Sequence, residues 1–180
     1  MIYMFFADGF EEVEAVATLD VIRRAGIEIQ SVGIGADVIC GSHNMKFICD
    51  KTDSEITPDE SLSGIILPGG MPGTTNLMYN SVVNDFIDYC NSNNLLICAI
   101  CAAPMILGRK GLLQNKEAIC FPGFENELSG ATISEKFVCR DGNIITAKGM
   151  GSAINFGIEI VSALTDSATS EKLKATLQCS

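Results

Sequence analysis

A thiol is a nucleophile only where its surroundings favour the thiolate, and the chain around Cys101 is built for that chemistry. Cys101 closes the run Asn94-Leu-Leu-Ile-Cys-Ala-Ile100 and is followed by Ala102-Ala-Pro104. The apolar run reads as a buried strand, and Pro104 as the first turn of a helix, where its missing N–H forfeits no intrahelical bond. Ala99 and Ala103 flank Cys101 two residues away on either side. A tight strand-to-helix turn has no room for larger side chains there, which is the steric logic of a nucleophile elbow. The thiol then projects at the carboxyl edge of a sheet and at a helix N-terminus. Unpaired N–H groups and the macrodipole are expected to favour the thiolate there.

Two other stretches offer partners. Pro68-Gly69-Gly70 follows the apolar residues Ile65-Ile-Leu67. A glycine turn at a strand end can donate a backbone N–H to a substrate oxygen and, with the N–H of Ala102, form an oxyanion hole. Glu11, Glu12 and Glu14 fall in the first turn of a predicted helix, where the dipole stabilises carboxylates whatever their role. Glu14 differs because its helical neighbours Phe10, Ala17, Thr18 and Val21 form a largely apolar stripe, so its carboxyl is expected to point inward. Burial and a nearby thiolate would raise its pKa, and once protonated it can donate a hydrogen bond to sulfur.

Cys98 makes a C-x-x-C with Cys101. Residues three apart in a strand face opposite sides with Cα atoms about 10 Å apart, which is beyond disulfide reach, so the two are read as separate thiols. Cys40, Cys49, Cys90, Cys120, Cys139 and Cys179 show no paired metal-ligand spacing, and His43 is the sole histidine, so no zinc site is expected. His43 is read as a surface or dimer-contact residue.

These groups must be held by a fold. With 180 residues, 47 % of them hydrophobic, the chain suits one domain spanning residues 1–180. A net charge of −10 argues against nucleic-acid and anionic membrane partners. No apolar run reaches membrane-spanning length, and eight cysteines without a basic, apolar leader point to a reducing, cytoplasmic location. Strands are predicted at Met1 to Phe6, Ile27 to Ile34, Gly64 to Leu67, the run into Cys101, and Glu117 to Phe121. Helices are predicted from about Phe10 to Ala25, Ser81 to Asn91, after Cys101, Ser152 to Leu164 and Ser170 to Leu177. Gly26 is read as the cap of the first helix, and Ile154, Ile158 and Val161 as the core face of the fourth. Hairpins are predicted over Val38 to Cys49 and across Arg140-Asp-Gly142, with a polar loop from Thr52 to Ser63. Alternating strands and helices imply an α/β fold with a mainly parallel sheet covered on both faces, whose binding crevice lies beyond the strand carboxyl ends.

Gly9-Phe-Glu-Glu-Val-Glu14, Asp20-Val-Ile-Arg-Arg-Ala-Gly26, Leu67-Pro-Gly-Gly70, Ala99-Ile-Cys-Ala-Ala-Pro104 and Gly149-Met-Gly-Ser-Ala153 resemble, in order, motifs of the DJ/ThiJ/PfpI superfamily, and most closely its Parkinson-associated, deglycase and chaperone branch. The resemblance implies a flavodoxin-like three-layer sandwich, a homodimer, Cys101 as the oxidation-prone nucleophile and Glu14 as its protonated partner. Gly70 and Ala102 match positions whose N–H groups face the thiol, and Gly69, Met71, Phe121 and Met150 are assigned to the pocket wall. The implied activity is that of a cofactor-free glyoxalase or deglycase acting on a small carbonyl substrate. The alternative is a redox sensor and chaperone in which Cys101 is oxidised to sulfinate. The peptidase branch places a histidine directly after its nucleophile; Ala102 stands here, which argues against a Cys-His hydrolase. Some relatives carry a histidine where this chain has Phe121, and proline is common at the place of Met150.

Overall fold

The computed structural model describes residues 1–179. In chain order the elements are β1 (Ile2–Phe6), α1 (Glu12–Arg24), β2 (Ile29–Gly33), β3 (Val38–Cys40), β4 (Lys46–Ile48), β5 (Lys51–Thr52), β6 (Gly64–Leu67), α2 (Gly73–Tyr79) and α3 (Ser81–Ser92). There follow β7 (Leu96–Ile100), α4 (Pro104–Arg109), β8 (Glu117–Ala118), β9 (Thr132–Ile133), β10 (Val138–Asp141), β11 (Ile144–Ala147), α5 (Ala153–Leu164) and α6 (Ser167–Thr176). The main sheet runs β10-β11-β7-β6-β1-β2-β5. All its pairings are parallel except that of β10 with β11, which form the predicted antiparallel hairpin.

Period-two alternation divides the core between the two faces of this sheet. Ile2, Met4 and Phe6 of β1, with Cys98 and Ile100 of β7, pack against α1, α5 and α6. Phe5, Ile65, Leu67, Ile97 and Ala99 face α2, α3 and α4. The result is the expected α/β sandwich, flavodoxin-like in its covered, mostly parallel sheet. The β3–β4 hairpin forms its own small sheet beside the first helix-bearing turn.

Several boundaries differ from expectation. The second strand is shorter, Ile29–Gly33, and Gly26 stands one residue beyond the C-cap Ala25 with φ 74°, a left-handed geometry suited to glycine. The polar loop after Cys49 begins with an edge strand, Lys51–Thr52, which pairs with β2. The predicted Glu117 to Phe121 strand pairs only over Glu117–Ala118. Helix α2 was not anticipated, because glycine, threonine and asparagine at its start are poor helix formers; burial of Leu77 holds it in place. In α5 the core face is Ala153, Phe156, Gly157, Ile160 and Val161, whereas Ile154 is 45 % exposed. Contact with α1 sets that rotation: a Cβ on Gly157 would come within 2.9 Å of Val21.

Candidate active site

Cys101 leaves β7 through a backbone turn at φ 64°. An L-residue pays about 1–2 kcal/mol for that conformation, and two hydrogen bonds hold it. The Cys101 N–H donates to the Ala147 carbonyl at 2.9 Å, and the Phe121 N–H donates to the Cys101 carbonyl at 2.8 Å. Ala99 and Ala103 are fully buried on either side of the turn. The half-buried sulfur faces the N–H groups of Ala102 and Gly70, the two donors anticipated from the sequence.

Glu14 lies on the buried side of α1, 1 % exposed, with its carboxyl beside Cys101 across the backbone of Gly69. The Gly69 N–H donates to Glu14 Oε2 at 3.0 Å. A Cβ on Gly69 would fall 2.6 Å from both Cys101 Cβ and Glu14 Oε2, so only glycine lets the strand end run between them. Gly70 has φ 90° and lies against the backbone of the turn between β1 and α1.

Burial pushes the Glu14 pKa up to about 7; the negative charge of Glu11 adds to this, and hydrogen bonds from Cys101, Gly69 and the Met150 N–H oppose it. Burial also pushes the Cys101 thiol up, as does the Glu14 charge beside it, against the Ala102 and Gly70 N–H groups. The sequence expectation of a thiolate favoured by a helix dipole is therefore corrected. Helix α4 has only six residues and begins with a proline, so its dipole is small and one N–H is missing. Neighbouring anions in a dry site repel one another, so the pair holds one negative charge: carboxylate with thiol, or carboxylic acid with thiolate.

The other residues assigned to the pocket wall are spread more widely. Phe121 and Met150 line a shallow apolar hollow, with side chains 47 % and 54 % exposed. The backbone N–H of Met150 acts on the Glu14 carboxyl, lowering its pKa slightly, a role the side-chain assignment did not include. The Gly149-Met-Gly151 stretch before α5 was the available signal, since the first N–H groups of a helix lack intrahelical partners. Met71 is 47 % exposed on the loop leading into α2. Cys98 and Cys101 are both free thiols, but the expected opposite facing fails: Cys98 is within the core that Cys101 packs against, because the turn at Cys101 breaks the strand alternation.

Glu12, placed by its sequence only in the first turn of the helix, is 4 % exposed. Its Oε1 accepts from the His43 backbone N–H at 2.7 Å, and its Oε2 lies 2.9 Å from His43 Nδ1. Although burial pushes its pKa up, these hydrogen bonds win and lower it to about 2. The sole histidine thereby latches the β3–β4 hairpin onto the first turn of α1. Glu11, Glu12 and His43 bring one donor atom each within 4.8 Å of one another, the set that most resembles a cation site; here the Glu12 oxygens are already engaged by the hairpin.

Relatives carry the same architecture. The chain is 32 % identical over 164 residues to Protein dj-1beta of Drosophila melanogaster, covering 89 % of this chain and 87 % of that one. It is 30 % identical over 178 residues to the Parkinson disease protein 7 homolog of Danio rerio, covering 97 % and 94 %. The solved structure of oxidized Toxoplasma gondii DJ-1 superposes with a TM-score of 0.95 at 29 % identity, covering 99 % of this chain and 98 % of that one. Drosophila DJ-1beta gives 0.93 at 28 %, covering 99 % and 97 %. With residues 1–163 matching its pattern, the chain belongs to the DJ-1/PfpI family.

Proposed function

We propose that the protein is a cysteine-dependent, cofactor-free enzyme of the glyoxalase III or deglycase type, acting on small 2-oxoaldehydes such as methylglyoxal or on their early protein adducts. One observation carries this reading: a buried carboxyl held by the Gly69 N–H lies beside a half-buried thiol set on a left-handed strand-to-helix turn. The Cys101 thiolate adds to the aldehyde carbon, and the new oxyanion rests on the Gly70 and Ala102 N–H groups while it takes the Glu14 proton. The Glu14 carboxylate then removes the hydrogen from that carbon and returns it to the adjacent carbon, converting the hemithioacetal into a 2-hydroxyacyl thioester. Water cleaves the thioester, releasing the hydroxyacid, lactate in the case of methylglyoxal, and restoring the thiol. A lactate-coupled assay on the wild type, Cys101→Ser and Glu14→Gln tests this; activity retained by both variants would overturn it.

A second reading uses the same groups. Cys101 is half-buried rather than sealed, and a protonated Glu14 is a donor suited to a sulfinate, so peroxide oxidation of Cys101 would make the protein a redox sensor with chaperone function. The solved Toxoplasma gondii relative is described as oxidized. Mass spectrometry after mild peroxide, beside lactate production on the same sample, separates the two: selective oxidation without turnover favours the sensor. We further propose a cytoplasmic homodimer. Exposed Val13 of α1 and Ile154 of α5, which border one surface hollow, support an apolar contact face, and no helix among the described residues is long and apolar enough to cross a membrane.

A further inference from the structure

Bordering Glu14 through Gly149 lies an apolar hollow with a single ammonium group at its wall. Phe121, Phe137, Lys148 and Gly149 line it, and the two phenyl rings are 47 % and 66 % exposed. Lys148 Nζ stands over the Phe137 ring, 5.3 Å from its centroid. Among the described residues it forms no salt bridge, although the chain carries 22 acidic against 12 basic side chains. An unpaired ammonium over an aromatic face attracts an anion and flat apolar groups together.

The hollow is joined to the reacting groups through the backbone. The Phe121 N–H is bonded to the Cys101 carbonyl, and Ala147, one residue before Lys148, accepts from the Cys101 N–H. Gly149 borders both places: a Cβ there would lie 3.2 Å from the Phe121 ring and 3.8 Å from Glu14 Oε1. A methyl group on the reacting carbonyl leaves this surface unused, whereas a planar ring attached there can lie along it.

We infer that the hollow is a specificity subsite for the non-reacting end of the substrate, and that it selects aryl 2-oxoaldehydes carrying a distal carboxylate. The aryl ring lies against Phe121 and Phe137, and Lys148 pairs with the carboxylate. This rests on the reading of Cys101 as a nucleophile toward 2-oxoaldehydes. The overall conversion keeps its balance: ArCOCHO and water give ArCH(OH)COO⁻ and a proton, while the ring and its distal carboxylate are unchanged.

The test compares methylglyoxal, phenylglyoxal and 4-carboxyphenylglyoxal with the full-length protein at low salt. Phenylglyoxal should exceed methylglyoxal in kcat/KM by about tenfold, from burial of the ring. The carboxylate should add up to about fivefold, the range of a partly exposed ion pair, and lose it at high salt. In Lys148→Met the ratio of 4-carboxyphenylglyoxal to phenylglyoxal should fall to about 1, and in Phe137→Ala the aryl preference should shrink. A wild-type ratio near 1, or one that Lys148→Met leaves intact, overturns the subsite. Loss of turnover on every substrate would count against the catalytic reading alone. In that case calorimetric titration of Cys101→Ser with mandelate and 4-carboxymandelate reads the subsite directly. Tighter binding of 4-carboxymandelate that disappears when Lys148→Met is added supports it, and equal affinities sink it.

Discussion

The Gly69 N–H donates to Glu14 Oε2 at 3.0 Å across 55 residues of sequence. That bond ties the end of β6 to the buried side of α1 and sets the carboxyl against the thiol of a third element. Because a Cβ on Gly69 would sit 2.6 Å from both Cys101 and Glu14, Gly69→Ala must push the two apart. Overpacking of this kind costs about 1–3 kcal/mol, which for a chain of this size lowers Tm by about 2–12 °C. Calorimetry alongside the lactate assay should show that modest destabilisation together with at least a tenfold loss of activity. A variant with wild-type turnover would mean that the spacing at Gly69 is irrelevant to the chemistry.

Cys101→Ser and Glu14→Gln should each lower methylglyoxal turnover by about 10²-fold or more, the usual range for loss of a positioned nucleophile or proton carrier. Glu14→Asp, which keeps the carboxyl but withdraws it by one methylene, should fall between the wild type and Glu14→Gln.

The pH dependence of thiol reactivity follows from the shared charge. Below about pH 7 the pair is fully protonated; above it the proton that leaves is chiefly that of Glu14, whose carboxylate then faces the thiol. Alkylation of Cys101 by iodoacetamide should therefore reach its midpoint well above the free-thiol value of about 8.5, since burial and the Glu14 charge push the thiol up to about 12. In Glu14→Gln the midpoint should fall below that of the wild type and stay above about 8.5, because the neighbouring charge is gone while burial still opposes the thiolate. Alkylation followed by mass spectrometry at a series of pH values reads both midpoints.

Holding Glu14 near pKa 7 also costs stability. Its folded value is raised above the unfolded 4.5, so the unfolded chain ionises first and stability falls as pH rises from about 4.5 to about 7. At pH 8 Glu14→Gln should be more stable than the wild type by about 3 kcal/mol, the order of magnitude equivalent to that shift, with the gap closing below pH 4.5. Urea unfolding at pH 4 and pH 8 measures it; a destabilised variant at pH 8 would show that the carboxylate is not strained there.

For the hairpin latch the sign is reversed. The folded Glu12 pKa of about 2 lies below its unfolded value of 4.5, so its stabilisation is complete above pH 4.5 and lost as pH falls through about 2. Glu12→Gln should unfold at lower temperature than the wild type at neutral pH and converge with it in strong acid. The hydrogen bond to Glu12 raises the His43 pKa above 6.5, so its part is complete below 6.5 and lost at higher pH. The His43 ring resonances should titrate above 6.5 in the wild type and fall back toward it in Glu12→Gln.

The residues that mark the site lie in local patterns, which is why they were legible. An apolar run, two flanking alanines and a proline specify the turn at Cys101, and helical spacing alone places Glu14 on the inner face of α1. The alternation of strands and helices likewise determined a mainly parallel sheet covered on both sides. Other features depended on contacts between distant segments. Helix α2 forms from weak helix formers because Leu77 is buried, and Glu12 is buried because a hairpin thirty residues later closes over it. The thiol's resting state was misjudged for the same reason. A helix start implies a dipole that favours thiolate, but α4 is short and the local field comes from Glu14 and the surrounding dry core. Sequence by itself marked the candidate pair, Cys101 at a strand-to-helix turn and Glu14 on the buried side of α1. Only the tertiary structure decided their protonation, because desolvation and like-charge repulsion depend on what packs around a group rather than on its neighbours in the chain.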